Sequence, residues 1–242
     1  MGKIPPPGRL YAFNGLDAVA AGLYLGLMLF AAFAGALLAP LLQSLLATQA
    51  AASYAVNLAF YASVGIFALL AAHGVVARDL RILATRPWFT MAMVPLSVVA
   101  MLVVTAIVVT ATGQARASEN QLGIQSLIQG VPAWLIVPLL VLVGPFVEEY
   151  IFRHLLIGKL SGRVNIWICC ALSAVLFAGI HVIGEEGLSV QAMVPYLGMG
   201  AVLVAVYVWT GKNLMFSFLV HAGKNLLAVL LIYALPPQFF GA

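Results

Sequence analysis

The stretch Gly144-Pro145-Phe146-Val147-Glu148-Glu149-Tyr150-Ile151-Phe152-Arg153 closes an apolar run, residues 133–147, with two adjacent carboxylates and an arginine. A charge at bilayer depth costs roughly 2.5–3.5 kcal/mol on insertion scales, so charges placed there tend to have a task. On a helix, Glu149 and Arg153 are four residues apart, share a face and can pair. Glu148 points about 100° away from Glu149, the turn per residue, so the doublet reads as two positions rather than one site. Glu148 shares its face with Gly144, where a missing side chain leaves room. Pro145 has no N–H for the carbonyl of Val141, which loosens the helix just before the acids.

Two further apolar stretches carry polar side chains at intervals of four: Ser173, Phe177 and His181 on one, Ser217, His221 and Asn225 on the other. The chemistry these types permit is hydrolysis. A carboxylate in an apolar pocket can take a proton from water, and an imidazole can orient that water. A second imidazole and an amide can stabilise the oxyanion of a tetrahedral intermediate, an effect of roughly 10²–10³ in rate per donor. The same atoms permit a zinc reading with Glu148, His181 and His221 as ligands, although no His-Glu-x-x-His helix is present. Plainer readings stand beside these. Either histidine can be an interhelical hydrogen bonder, Asn225 can be glue between helices, and Arg153 can snorkel to the inner interface while offsetting Glu149. His73 and His154 read as interface residues. The combination of Glu, His, His and Asn on three segments favours chemistry.

The elements that must carry these residues are membrane helices. The chain has 242 residues, 64% of them hydrophobic and only 7% charged, with a mean hydropathy of +1.11. A soluble domain cannot hide that much apolar surface, so the expected fold is all-α, a polytopic transmembrane helical bundle forming a single membrane domain over 1–242. Seven apolar segments are expected to span: 16–38, 54–77, 88–110, 133–156, 166–183, 193–210 and 214–235. The first is too long for the apolar region of a signal peptide, about 7–15 residues, and is expected to be retained. The start Met-Gly-Lys-Ile-Pro-Pro lacks the Ser or Thr of a myristoylation site. Cys169 and Cys170 are adjacent in an apolar run and read as small core residues.

Placing the N-terminus inside puts Lys3, Arg9, Arg78, Arg81, Arg86, Lys159, Arg163 and Lys212 in the cytoplasm. Arg116, the pair Glu185-Glu186 and the C-terminus then lie outside, in a cell inner (plasma) membrane. This topology accounts for the net charge of +4, which gives no indication of nucleic acid. Between the third and fourth segments, Ser118-Glu119-Asn120-Gln121 has capping-box spacing, followed by Ile124, Leu127, Ile128 and Val131 at helical intervals. A short amphipathic helix packed on the outer interface is expected there. Gly22-x-x-x-Gly26 reads as a close-packing motif and a possible homodimer contact. No internal repeat is visible, which speaks against inverted-repeat transporters.

Glu148-Glu149-x-x-x-Arg153, Phe177-x-x-x-His181 and His221-x-x-x-Asn225, in that order, resemble the motif set of the CAAX-protease and bacteriocin-processing family of intramembrane proteases. That family includes the type II CAAX prenyl endopeptidases, or Ras-converting enzymes. The resemblance covers roughly 139–231 and implies a catalytic four-span core within 133–235. It implies Glu148 as the base that activates water, assisted by His181, with His221 and Asn225 on the oxyanion side. Glu149, Arg153 and Phe177 are in support. The implied function is an intramembrane endopeptidase acting on membrane-associated proteins or peptides in the lipid bilayer, of CAAX type or in leader and bacteriocin processing. A glutamate mechanism with no cofactor is preferred over zinc. The alternatives are a non-catalytic membrane adaptor of a partner protein and a proton-coupled carrier.

Overall fold

A computed structural model describes residues 10–46, 48–113, 119–183 and 190–235. The described elements are helices: α1 (Gly15–Leu45), α2 (Gln49–Thr85), α3 (Pro87–Thr112), α4 (Glu119–Gly130), α5 (Ala133–Gly162), α6 (Ile166–Ile180), α7 (Val190–Trp209) and α8 (Leu214–Ala234). Each expected segment corresponds to one of them. By length and hydropathy, α2, α3, α5, α7 and α8 are fit to cross a bilayer. Gly15–Ala31 and Ile166–Ile180 are shorter apolar helices. Lys3, Arg9, Arg116, Ser118, the Glu185-Glu186 pair and the C-terminus lie outside the described residues.

Local signals set the helix ends. Asn14 and Asp17 bond reciprocally at the start of α1: each side-chain oxygen accepts the other's backbone N–H, at 3.0 and 2.7 Å. The Thr48 side chain caps α2, Pro87 opens α3 and a left-handed Gly113 ends it. The start of α8 is held twice. Asn213 Oδ1 accepts the Phe216 N–H at 2.8 Å, and Asp79 Oδ2, reaching across from α2, accepts that of Leu214 at 2.6 Å. Those bonds fix the level of α8, and hence of His221 and Asn225.

Among the basic residues that alternation assigns to one side, Arg78, Lys159 and Lys212 gather in polar contacts at one end of the bundle, while Arg81, Arg86 and Arg163 are exposed. Lys159 is buried and bonds Asp17 at 2.6 Å, while Tyr150 also donates to Asp17. Arg78 pairs with Asp79 and donates to the Tyr11 hydroxyl at 2.8 Å. Lys212 donates to Ser161 at 2.8 Å. His154 is a correction to the sequence reading. It is fully buried among Tyr11, Tyr150 and Tyr207, not at an interface, because Tyr11, ahead of α1, and Tyr207 of α7 close over its face of α5. His73 is exposed.

Helix α5 is the most enclosed of the long helices and the axis of the core. Its hydrogen bonding is irregular. Pro138–Val143 and Glu149–Lys159 follow the wider i→i+5 pattern, separated by an α-helical turn at Gly144–Glu148. Around it pack Val64 and Ala68 of α2, Phe177 of α6, Leu203 and Tyr207 of α7, and Phe216 and Val220 of α8. The motif at Gly22 and Gly26 does not mediate close packing among the described residues, contrary to the sequence reading: a Cβ added at either meets none of their atoms within 4 Å.

The expected amphipathic helix is α4, and its apolar side is covered. Leu127, Ile128 and Val131 are buried in a second, smaller cluster with Val141, Ala222 and Val229. At its end, a Cβ on Gly130 would stand 2.4 Å from that of Ala50. Gly130→Ala should therefore push α4 off α2 and cost about 1–3 kcal/mol, the usual range for overpacking. Thermal unfolding of the detergent-solubilised protein measures this; an unchanged midpoint would mean that α4 rests only loosely on the bundle.

Candidate active site

Glu148 lies at the end of the α-helical turn in α5 and is nearly buried. His181 caps the C-terminal end of α6 and His221 lies midway along α8. The fold brings the three together. Glu148 Oε2 stands 3.9 Å from His181 Nε2 and 3.7 Å from His221 Nε2. Both distances are too long for a direct hydrogen bond, and both suit a bridge through one water.

The other ring nitrogens are committed. His181 Nδ1 lies 2.7 Å from the Phe177 carbonyl, which can only accept, so this nitrogen donates, and in the neutral ring Nε2 presents a lone pair. His221 Nδ1 lies 3.0 Å from Glu149 Oε1 and donates to it. Glu149 Oε2 also accepts from Ser217. The sequence reading separated the two carboxylates by helix angle. In the fold the His221 ring spans them, one nitrogen facing each, so the doublet serves one site after all.

Arg153 Nη1 stands 3.3 Å from Glu149 Oε1, an ion pair in which neither side chain is exposed. It does not snorkel, because α6 and α7 enclose it. Its guanidinium lies 4.3 Å over the Phe177 ring, and Nη2 approaches the Gly200 carbonyl at 3.5 Å. A Cβ at Gly200 would stand 3.2 Å from the Phe177 ring, so the glycine allows α7 to come that close. Phe177 in turn packs against both imidazoles, with ring centroids 4.6 Å from His181 and 5.8 Å from His221.

Asn225 is the expected site residue least joined to the others. Its amide nitrogen donates to the Leu140 carbonyl at 2.9 Å. That carbonyl needs a partner for a local reason. The Gly144 N–H goes to Leu139, five residues back, and in that register Leu140 would be served by residue 145, a proline with no N–H. The second amide proton of Asn225 is free of this bond. Ser173, on the same stripe as Phe177 and His181, is buried, and its hydroxyl has no hydrogen-bond partner among the described residues.

Sequence reasoning missed two contributors. Tyr61 of α2 donates to Glu148 Oε1 at 2.7 Å across 87 residues of chain, and its ring fills the space beside Gly144. Tyr196 of α7 stacks on His181 at 4.6 Å. Neither stands in a polar stripe of its own, so only tertiary packing reveals them.

The comparisons with known proteins bear on this geometry. Residues 130–227 match the family model described as type II CAAX prenyl endopeptidase Rce1-like. The resemblance carried by the three motifs holds. The matched residues cover α5, α6, α7 and most of α8, and so contain Glu148, His181, His221 and Asn225. A putative membrane peptidase, YdiL, of Bacillus subtilis is 30% identical over 49% of this chain and 45% of its own length. The membrane-embedded CAAX protease MroQ of Staphylococcus aureus is 30% identical over 35% of this chain and 34% of its own. The matches thus span less than half of either relative. No solved structure shows a significant match. With its apolar helices, this likeness makes the chain a multi-pass membrane protein similar to CAAX-type membrane proteases.

Proposed function

We propose that this protein is an intramembrane endopeptidase in which Glu148 activates water. The observation that carries the reading is the gap between Glu148 Oε2 and the two Nε2 atoms, 3.9 and 3.7 Å, at a nearly buried carboxylate. A water in that gap donates one proton to Glu148 Oε2 and the other to His181 Nε2, which leaves its lone pairs for a peptide carbonyl carbon. As the water oxygen bonds to that carbon, Glu148 takes its proton and the carbonyl oxygen becomes an oxyanion. Glu148 then passes the proton to the departing nitrogen, and the carbon–nitrogen bond breaks to give a carboxyl group and an amine.

His221 holds Nδ1 against Glu149 and turns Nε2 toward Glu148. The imidazole at that position and the second amide proton of Asn225 form the oxyanion side of the site.

Zinc is the competing chemistry. Tetrahedral ligand atoms on zinc lie about 3.3 Å apart, from bonds of about 2.0–2.1 Å. The atoms here are wider apart, and no group of three His, Cys, Asp or Glu among the described residues has metal-ligand spacing. This favours the glutamate mechanism. Cleavage should survive exhaustive chelation, and metal analysis of the purified protein should find well under one equivalent. One tightly bound zinc, lost and restored together with activity, would overturn the mechanism and leave the protease reading in place.

Substrates are membrane-associated proteins or peptides, by likeness to relatives named as a CAAX protease and a membrane peptidase. The basic end of the bundle, with Arg78, Lys159 and Lys212, is assigned to the cytoplasm of an inner membrane. A mass-spectrometric comparison of membrane peptides from cells carrying the parent protein or Glu148→Gln tests the function. An uncleaved peptide should accumulate in the variant, whereas identical inventories would favour a non-catalytic adaptor.

A further inference from the structure

Glu148 has two carboxylate oxygens, and the fold treats them differently. Oε2 faces both imidazoles, while Oε1 accepts the Tyr61 hydroxyl at 2.7 Å. Tyr61 lies on α2, outside the residues that match the family model. Its ring is held edge-on by Phe60, with centroids 5.0 Å apart, and its Cζ lies 3.7 Å from where a Gly144 Cβ would be. One turn further along α2, a Cβ on Gly65 would meet Val143 and Val147 at 3.4–3.5 Å. The α2–α5 contact therefore holds the phenol where Glu148 needs it.

We infer that Tyr61 is a positioning residue for the general base: its hydroxyl occupies Glu148 Oε1, fixes the plane of the carboxylate and assigns Oε2 to the water. The inference rests on the proposed general-base reading of Glu148. The terminal torsion of a glutamate is broad, and the two oxygens of an untethered carboxylate exchange places. A phenol donating to an ionised oxygen at this distance is among the stronger hydrogen bonds. With Oε1 so bonded, the proton taken from water resides on Oε2, the oxygen that faces the scissile bond, and returns from there to the departing nitrogen. Tyr61 keeps its own proton throughout. An ordinary packing aromatic would serve α2 and α5 equally well as phenylalanine, which isolates the hydroxyl for testing.

The probe is a fluorophore–quencher peptide carrying the sequence that accumulates in Glu148→Gln cells, cleaved by the full-length protein in detergent micelles. Rates are referred to the folded fraction given by thermal unfolding. Tyr61→Phe should lower kcat about tenfold and leave KM within about twofold, because misorientation of the base affects the chemical step and not peptide binding. Tyr61→Phe combined with Glu148→Gln should cleave no more slowly than Glu148→Gln alone, since no carboxylate remains to be oriented. A kcat for Tyr61→Phe within about twofold of the parent, beside a crippled Glu148→Gln, would overturn this assignment and spare the general base. A tenfold loss that persists on top of Glu148→Gln would overturn it too, since Tyr61 would then act independently of the carboxylate. Full activity in Glu148→Gln itself would instead remove the general-base reading.

Discussion

Glu148→Gln should lower the rate of peptide cleavage by about two to four powers of ten while leaving the fold intact. The amide keeps the volume of the acid and can place its oxygen where Oε1 accepts the Tyr61 hydroxyl. Its NH₂ group then stands where Oε2 faced the two imidazole nitrogens, 3.7 and 3.9 Å away, and can donate where the carboxylate could only accept. A neutral amide is also cheaper to bury than a carboxylate, so the unfolding midpoint should not fall. What the amide cannot do is take a proton from water. Initial rates on the accumulated peptide, with thermal unfolding on the same preparation, measure both halves. A variant that cleaves within threefold of the parent would exclude Glu148 as the base.

Much of this site is legible in the sequence because it is written in helical intervals. Glu149 with Arg153, Phe177 with His181, and Ser217 with His221 all sit four apart; the first two pairs meet in the fold, and the third converges on Glu149. The seven apolar segments are visible for the same reason, since length and hydropathy are local quantities. Contacts between helices distant in sequence are not written locally. Tyr61 looks like any other aromatic on an apolar helix until α2 is placed against Gly144. The spanning of Glu148 and Glu149 by one imidazole runs against their helix angle, and it works because a ring has two nitrogens on opposite edges. Arg153 is a matter of enclosure. A lone arginine near the end of an apolar run would snorkel, but α6 and α7 close over this one and leave Glu149 as its counter-ion.

The acids Asp17 and Asp79 make a similar point at the other end of the bundle. Counting basic residues reads Lys159 and Arg78 as markers of topology, and their counter-ions come from α1 and from the adjacent position of α2. Asp79 does more than neutralise, because it accepts the first N–H of α8 and so links the level of His221 to α2. The α2 helix that places Tyr61 beside Glu148 thus also sets the height of α8.

Asn225→Ala is the other change expected to cost most, and it separates two roles that one side chain combines. Loss of an oxyanion donor should reduce the rate by roughly 10²–10³. Loss of the bond to the partly buried Leu140 carbonyl should destabilise the fold by about 1 kcal/mol, the low end of the penalty for an acceptor left unpaired. The proline offers a way to split them. In the register set by the Gly144 to Leu139 bond, residue 145 is the one that would serve Leu140, so Pro145→Ala supplies the missing backbone N–H. The double variant Asn225→Ala/Pro145→Ala should then regain most of the unfolding midpoint and remain slow in cleavage. If rate and stability return together, Asn225 serves only to join α8 to α5, and the oxyanion rests on His221 alone.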